Sequence, residues 1–489
     1  MRFAKAHRLS KQGTDFLVPA AFSLFVAVVV VFWAIVRIDD VPAFSLALIL
    51  LVLTILPFVI ALARGRLELL EPIHILSFIV ALYFAVRALY IVFDVNRTVS
   101  QVSYYFYQDT IPLALCYVIL GYLSLLVGYH SSIPSRIVSA LPPLTWQWPH
   151  SLSVGRVLLV YAIGLFSQML LFQSTGSNIW TIGTAAGGVP SYYLLALSLF
   201  TQYATSMTAI SIFGIGTRKI FVYLFWLLLV PTAIVQSFMW GGRHYLLAAV
   251  TTVLVAYHYL RRRLSTIQVA VYAIVIFASV FPVLAIYRGT YLGSVGRVST
   301  LAELVEQVQG LAGYLSRLGW SEYVSFAADA LMSRSHGIDS LSLIIKYTPG
   351  ISDFKYGWEY LLIPLYAFIP RAIWPDKPLN PSINFGQVYI IDPAISAEGS
   401  IGQFHIGDLY WNFGLFGIMV GMLLLGIFYR TIYAYLAPAE SKHPLRVFLY
   451  TFFLLQVMQA FEVDIVSMFS NLLKTLVFLI PVCWFMRKR

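Results

Sequence analysis

Residues 43–63 read AFSLALILLVLTILPFVIALA, an unbroken apolar run, and Arg64 and Arg66 follow at once. About 20 apolar residues suffice to cross a bilayer as a helix. Backbone groups in lipid must be satisfied inside the segment, so a single run of this kind is a helix. Arginines just beyond it mark a cytoplasmic end. Working outward, comparable runs recur at 17–36, 73–94, 111–130, 157–174, 191–214, 220–240, 244–260, 265–286, 409–429, 446–465 and 470–486. The pattern predicts an all-α polytopic membrane protein with about twelve transmembrane helices.

Composition agrees. Of 489 residues, 60% are hydrophobic and only 11% are charged. An ordinary soluble domain is about 25% charged. So little charge cannot solvate a globule of this size, and disorder would need the opposite balance. The net charge of +11 sits largely at the ends of apolar runs. It therefore reads as an orientation signal, and no nucleic-acid partner is expected. Cys116 and Cys483 both lie inside apolar segments, so neither a disulfide framework nor a cysteine metal site is expected. The basic start Met1–Lys11 leads into a full-length apolar run and reads as an uncleaved first helix.

Placing the N-terminus inside puts nineteen basic residues in the inner loops, among them Arg64, Arg66, Arg136, Arg156, Arg218, Lys219, Arg261, Arg262, Arg263 and Arg430. The short outer loops then hold Arg37, Arg97 and Arg243. Both termini are accordingly expected in the cytoplasm.

Three regions follow: a nine-helix membrane region at 1–286, a large extracytoplasmic loop at 287–408, and a three-helix membrane region at 409–489. A loop this long is expected to be folded and functional. It holds amphipathic pieces at Leu301–Gly310, Gly319–Met332 and Ser340–Tyr347. Its apolar run Trp358–Ile369 is too short to span and is expected to be re-entrant or interfacial. Pro370, Pro375, Pro378 and Pro381 then exclude a regular helix. No internal repeat is evident, which weakens an inverted-repeat transporter.

Cations gather at the outer side. Arg243 follows Gly241-Gly242 in a tight reversal, Arg288 follows the ninth helix, and Arg371 and Lys377 lie in the proline-dense stretch. Arginine suits phosphate because its planar fork donates two parallel hydrogen bonds. The plainer reading of each is a snorkelling or locally paired cation. Of nine histidines, His405 stands out, set between glycines and just before Asp408. A histidine there could take a proton from a sugar hydroxyl, or simply be a satisfied polar residue at a helix start. His336 is the weaker alternative. Glu462 and Asp464, at the outer end of the eleventh helix, are expected to be paired, as counter-ions to the arginines or as structural groups. Arg87 precedes Asp94 by about two helical turns, which makes a local charge network the default. No Walker A loop and no metal-ligand spacing is present. No metal or other cofactor is expected. With no large cytoplasmic domain to bind a nucleotide sugar, the substrate must bring its own leaving group to the outer face. A polyprenyl-pyrophosphate-linked glycan fits.

From about 236 to 475 the chain resembles the Wzy-type oligosaccharide repeat-unit polymerases of O-antigen and exopolysaccharide synthesis. The residues that carry this are Gly241-Gly242-Arg243, Arg288, the stretch Phe368-Ile369-Pro370-Arg371-x-Ile373-Trp374-Pro375-x-Lys377-Pro378, the stretch Gly407-Asp408-Leu409-Tyr410-x-Asn412-Phe413-Gly414, and the late acid pair. The resemblance implies a metal-independent, inverting glycosyltransferase at the periplasmic face of the bacterial inner membrane. It would move a growing glycan from undecaprenyl pyrophosphate onto a new lipid-linked repeat unit. Arg243 and Arg288 would bind pyrophosphate, and Arg371 and Lys377 would position the second carrier or the sugar chain. His405 would be the base by analogy with the related ligases, with Asp408 the alternative. Expected partners are undecaprenyl-pyrophosphate-linked oligosaccharides, membrane lipid, a flippase and a chain-length regulator. An O-antigen-type ligase, a lipid-linked oligosaccharide flippase and a structural export subunit are the competing readings.

Overall fold

The computed structural model describes residues 41–65, 67–93, 107–144, 148, 152–153, 154–175, 188–215, 219–240, 244–287, 290, 300–332, 335–370, 373–375, 377, 385, 388–389, 402–436, 443–460 and 463–486. The run at 17–36, Asp94, and the site candidates Arg243, Arg288, Arg371 and Glu462 lie outside the described residues.

In chain order the helices are α1 (Val41–Ala63), α2 (Pro72–Phe93), α3 (Ile111–His130), α4 (Ile133–Ala140) and α5 (Val154–Thr175). There follow α6 (Gly188–Ser198), α7 (Phe200–Ile210), α8 (Lys219–Met239), α9 (His244–Ala256, prolonged by the wider turn Tyr257–Arg261) and α10 (Thr266–Tyr287). The long loop supplies α11 (Leu301–Arg317), α12 (Trp320–Met332), α13 (Gly337–Tyr347), α14 (Trp358–Leu361) and α15 (Ile363–Phe368). The chain closes with α16 (Phe404–Leu436), α17 (Pro444–Ala460) and α18 (Ile465–Met486). No strand occurs among the described residues. Among them, eight helices are long and apolar enough to cross a membrane. The described residues are all-helical, and the protein is a multi-pass membrane protein.

The run expected as one helix at 191–214 is two, α6 and α7, separated at Leu199. The run Trp358–Ile369 is also two short helices, broken at Leu362. Pro364 explains the second break: it lacks the N–H that would continue a helix but fits the first turn of a new one.

The ends expected on the inner side do meet on one face. Arg430 of α16 pairs with Glu71 at 2.8 Å, and Tyr129 of α3 donates to the same carboxylate at 2.8 Å. Tyr259 beyond α9 and Tyr433 of α16 both donate to Glu68. The connection between α1 and α2 is therefore clamped to the ends of three other helices.

At the opposite end the loop helices dock on the bundle. Thr300 caps α11 by accepting the Glu303 N–H, and Tyr287 of α10 donates to Gln307 at 2.9 Å. Tyr323 of α12 donates to the Ala278 carbonyl at 2.7 Å. The third loop helix goes further. Although its sequence is amphipathic, α13 is buried from Gly337 through Ile345, wedged among α2, α3 and α16. Its Asp339 receives Arg87 Nε at 3.0 Å and Arg87 Nη2 at 2.9 Å, and Tyr107 donates to it at 2.5 Å. Arg87 is thus paired far along the chain, and the ion pair is what lets a charged face of α13 leave water.

The main partner of α16 is α3. The two backbones nearly touch: a Cβ on Gly128 would lie 2.1 Å from the Leu423 carbonyl oxygen, and one on Gly426 would lie 2.2 Å from that of Leu125. Small residues allow this close packing where lipid offers no hydrophobic drive between helices.

Candidate functional site

The helix expected to begin at 409 begins at Phe404 and folds back on itself. Gly414, with φ 63° and ψ −153°, is the corner. A Cβ on Gly417 would lie 2.5 Å from the Leu409 carbonyl oxygen, eight residues back. In a straight helix those positions are about 12 Å apart. Likewise His405 Nε2 is 3.4 Å from the Tyr429 hydroxyl. Along one axis those residues would be about 36 Å apart. A short arm, 404–413, therefore lies against the long arm, deep in the bundle.

That arm carries Asp408 and Asn412 on one face, four residues apart. Asp408 is fully buried, and its carboxylate collects four donors. Gln403 Nε2 and Asn412 Nδ2 each donate to Oδ1 at 3.1 Å. Tyr360 Oη donates to Oδ2 at 3.1 Å, and the Ile465 N–H does so at 3.0 Å. Ile465 opens α18, where a helix end favours negative charge. Asp464 caps the same helix, accepting the Ser467 N–H at 2.7 Å and its hydroxyl at 2.8 Å. Burial, with the Asp408 carboxylate beside it, pushes the Tyr360 phenol well above its usual range, so it remains a donor.

A strap from the loop holds the corner. The N–H groups of Lys355 and Tyr356 donate to the carbonyls of Trp411 and Asn412 at 3.1 Å each, and the Gly357 N–H donates to Asn412 Oδ1 at 2.9 Å. These bonds satisfy carbonyls that the break at Gly414 leaves without helical partners. The Lys355 ammonium sits 3.6 Å over the Trp411 ring and 3.0 Å from Glu359.

His405 is also fully buried. Its Nδ1 donates to the Val463 carbonyl at 2.9 Å, while Nε2 faces Met468 Sδ at 3.2 Å. A carbonyl can only accept, which assigns the Nδ1–H tautomer. His336 stands behind the arm, edge-on to Phe404 with ring centres 5.5 Å apart. The Lys377 ammonium donates to the Ile369 carbonyl at 2.9 Å, pinning the turn after α15. The structure thus brings His405, Asp408 and Asp464 together at the start of α18 and sets His336 behind them, edge-on to Phe404. Lys377 belongs to the neighbouring turn.

Sequence reasoning missed Tyr360, Gln403, Lys355 and Glu359. A usable signal existed for the last two, an acid and a base four residues apart in an aromatic, glycine-containing stretch. Nothing local marks Tyr360 as the partner of a residue 48 positions away. Among the described residues, no three His, Cys, Asp or Glu side chains gather as a metal ion would require.

Fold and site together define a multi-pass membrane protein with a polar centre built inside the bundle on a folded-back helix. Over 103 residues the chain is similar to the O-antigen polymerases of Salmonella typhimurium and Salmonella typhi, 33% identical to each. The similarity covers 20% of this chain, and the chain spans 25% of the length of these curated relatives. No family model and no solved structure matches the chain.

Proposed function

We propose that the protein polymerises undecaprenyl-pyrophosphate-linked oligosaccharide repeat units into a cell-surface polysaccharide. The observation that carries this reading is the 103-residue similarity to two O-antigen polymerases. The buried polar centre beside the long loop supports it, because a lipid-linked substrate needs a site at the edge of the bilayer. The working face is the periplasmic side of the inner membrane, opposite the clustered basic ends, with both termini cytoplasmic.

The reaction is a single displacement with inversion and without a metal. Arg243 and Arg288 hold the departing pyrophosphate and stabilise its growing charge. Arg371 orients the second carrier or the sugar chain, and Lys377 shapes the turn beside it. Of the two candidate bases we favour Asp408, because it is wired to the strap through Tyr360. The ring of His405 is held between Val463 and Met468, and it and His336 position the arm. Asp464, two positions after Glu462 in the sequence, sets the start of α18. A flippase delivers the substrate and a chain-length regulator sets the polymer size.

Reconstitution into vesicles with a defined lipid-linked repeat unit tests this. Chain growth with release of polyprenyl pyrophosphate is expected. In cells, deletion should leave surface lipid capped with single repeats. Free lipid-linked polymer would indicate a ligase instead, and lipid-linked repeats stranded on the inner face would indicate a flippase.

A further inference from the structure

The geometry assigns Tyr360 as the residue that activates the acceptor hydroxyl, relaying its proton to Asp408; this rests on the polymerase reading above. The carboxylate of Asp408 has about four lone-pair positions. Donors crowd them: Tyr360, the Ile465 N–H and Gln403, with Asn412 Nδ2 sharing its two hydrogens among Oδ1, the Asp408 carbonyl and the Tyr360 hydroxyl. An incoming hydroxyl therefore has no direct approach to it. Gln403, Asp408 and Asn412 are fully buried, whereas Tyr360 is half-buried and sits on the strap. Its hydroxyl donates to Asp408 and accepts from Asn412 Nδ2 at 3.2 Å. At least one lone pair on the phenol oxygen is left, and it is the way in.

The surroundings indicate what arrives. Among the described residues, Gln403 Oε1 and Glu359 Oε2 are buried acceptors with no hydrogen-bond partner. Both flank the Tyr360–Asp408 pair, Gln403 through its bond to Asp408 and Glu359 through its place beside Tyr360 in α14. Unpaired buried acceptors call for donors. A sugar supplies hydroxyl donors, whereas a pyrophosphate offers only acceptors and would be repelled by Asp408, the charge of Glu359 being offset by Lys355. The centre is therefore the subsite for the terminal sugar of the accepting repeat unit, and the donor's pyrophosphate lies elsewhere.

In the step, the acceptor oxygen forms its bond to the anomeric carbon. Its proton passes to Tyr360 Oη as the Tyr360 proton passes to Asp408 Oδ2. The bond from the anomeric carbon to the pyrophosphate oxygen breaks, and its electron pair leaves with the polyprenyl pyrophosphate. Asp408 ends neutral and Tyr360 is restored.

The test uses the full-length protein in vesicles with the lipid-linked repeat unit, as wild type, Tyr360→Phe, and a form carrying a fluorinated tyrosine at 360. Tyr360→Phe should lower kcat by about 100-fold or more with little change in KM. It should keep a normal level in the membrane, since the Ile465 N–H still holds Asp408. The fluorinated form, whose phenol is more acidic, should work and shift the kcat–pH profile to lower pH. A structural hydrogen bond would leave that profile in place. A Tyr360→Phe protein with wild-type kcat, or an unmoved profile in the fluorinated form, overturns the assignment while the polymerase reading stands. A wild type that is folded but inert toward the lipid-linked unit overturns both.

Discussion

Asp339→Asn should be among the most damaging single changes outside the candidate site. Asp339 and Arg87 are 0% and 2% exposed, and two hydrogen bonds of 2.9 Å and 3.0 Å join them. The substitution keeps the shape of the side chain but leaves the guanidinium charged and buried without a counter-ion. Breaking one side of such a pair costs about 3–5 kcal/mol. That lowers the ratio of folded to unfolded protein by at least about 100-fold. The loss should spread to the site, because α13 backs the arm: Ser340 donates to the Gly402 carbonyl at 3.1 Å, and a Cβ on Gly407 would lie 3.0 Å from Ile344. Unfolding of the purified protein in mixed micelles, titrated with a denaturing detergent and followed by tryptophan fluorescence, reads the change. The double replacement Arg87→Met with Asp339→Leu should recover most of it, since an apolar pair of similar volume is often neutral in such a place. Wild-type stability in Asp339→Asn, or no recovery in the double replacement, would refute the reasoning.

Gly414→Val should cost about 1–3 kcal/mol, because the corner's backbone geometry is essentially restricted to glycine; polymer length and melting in detergent should fall together. Gly128→Leu should deplete folded protein from the membrane, since no side chain fits 2.1 Å from the Leu423 carbonyl oxygen, and an immunoblot of membrane fractions reads it. Asp464→Ala should cost about 1 kcal/mol through the lost cap, while Asp464→Asn should stay near wild type in the same unfolding assay. Arg288→Ala should abolish chain elongation at unchanged membrane level, as seen on a polysaccharide gel, and long chains in that variant would end its pyrophosphate role.

The helical class was legible from a single run, because too little charge is present for the chain to dissolve and lipid admits few backbone forms. The sidedness of the clamp was legible too: Arg64, Arg261 and Arg430 share one predicted side, and the Glu68–Glu71 connection meets the ends of α3, α9 and α16 there. The amphipathic pieces of the loop were found as helices, but their fates differ. A period of 3.6 reports that one face avoids water and says nothing of what covers it, so α13 read like its neighbours although the bundle encloses it.

The sequence by itself determined that this chain lies in a membrane and which stretches leave water, and it put His405 and Asp408 at the entry to a helix. Only the tertiary structure decided who meets whom. Arg87 finds Asp339 across 252 positions, and Asp408 finds Tyr360 across 48. In lipid every apolar face is equally content, so hydropathy cannot choose neighbours. The choice falls to the few polar groups that must be satisfied and to glycines that let backbones touch, and both act between residues far apart in the chain. Gly414 shows the same limit locally: inside an apolar run it looked like one more helical residue, and the fold made it the corner on which the site turns.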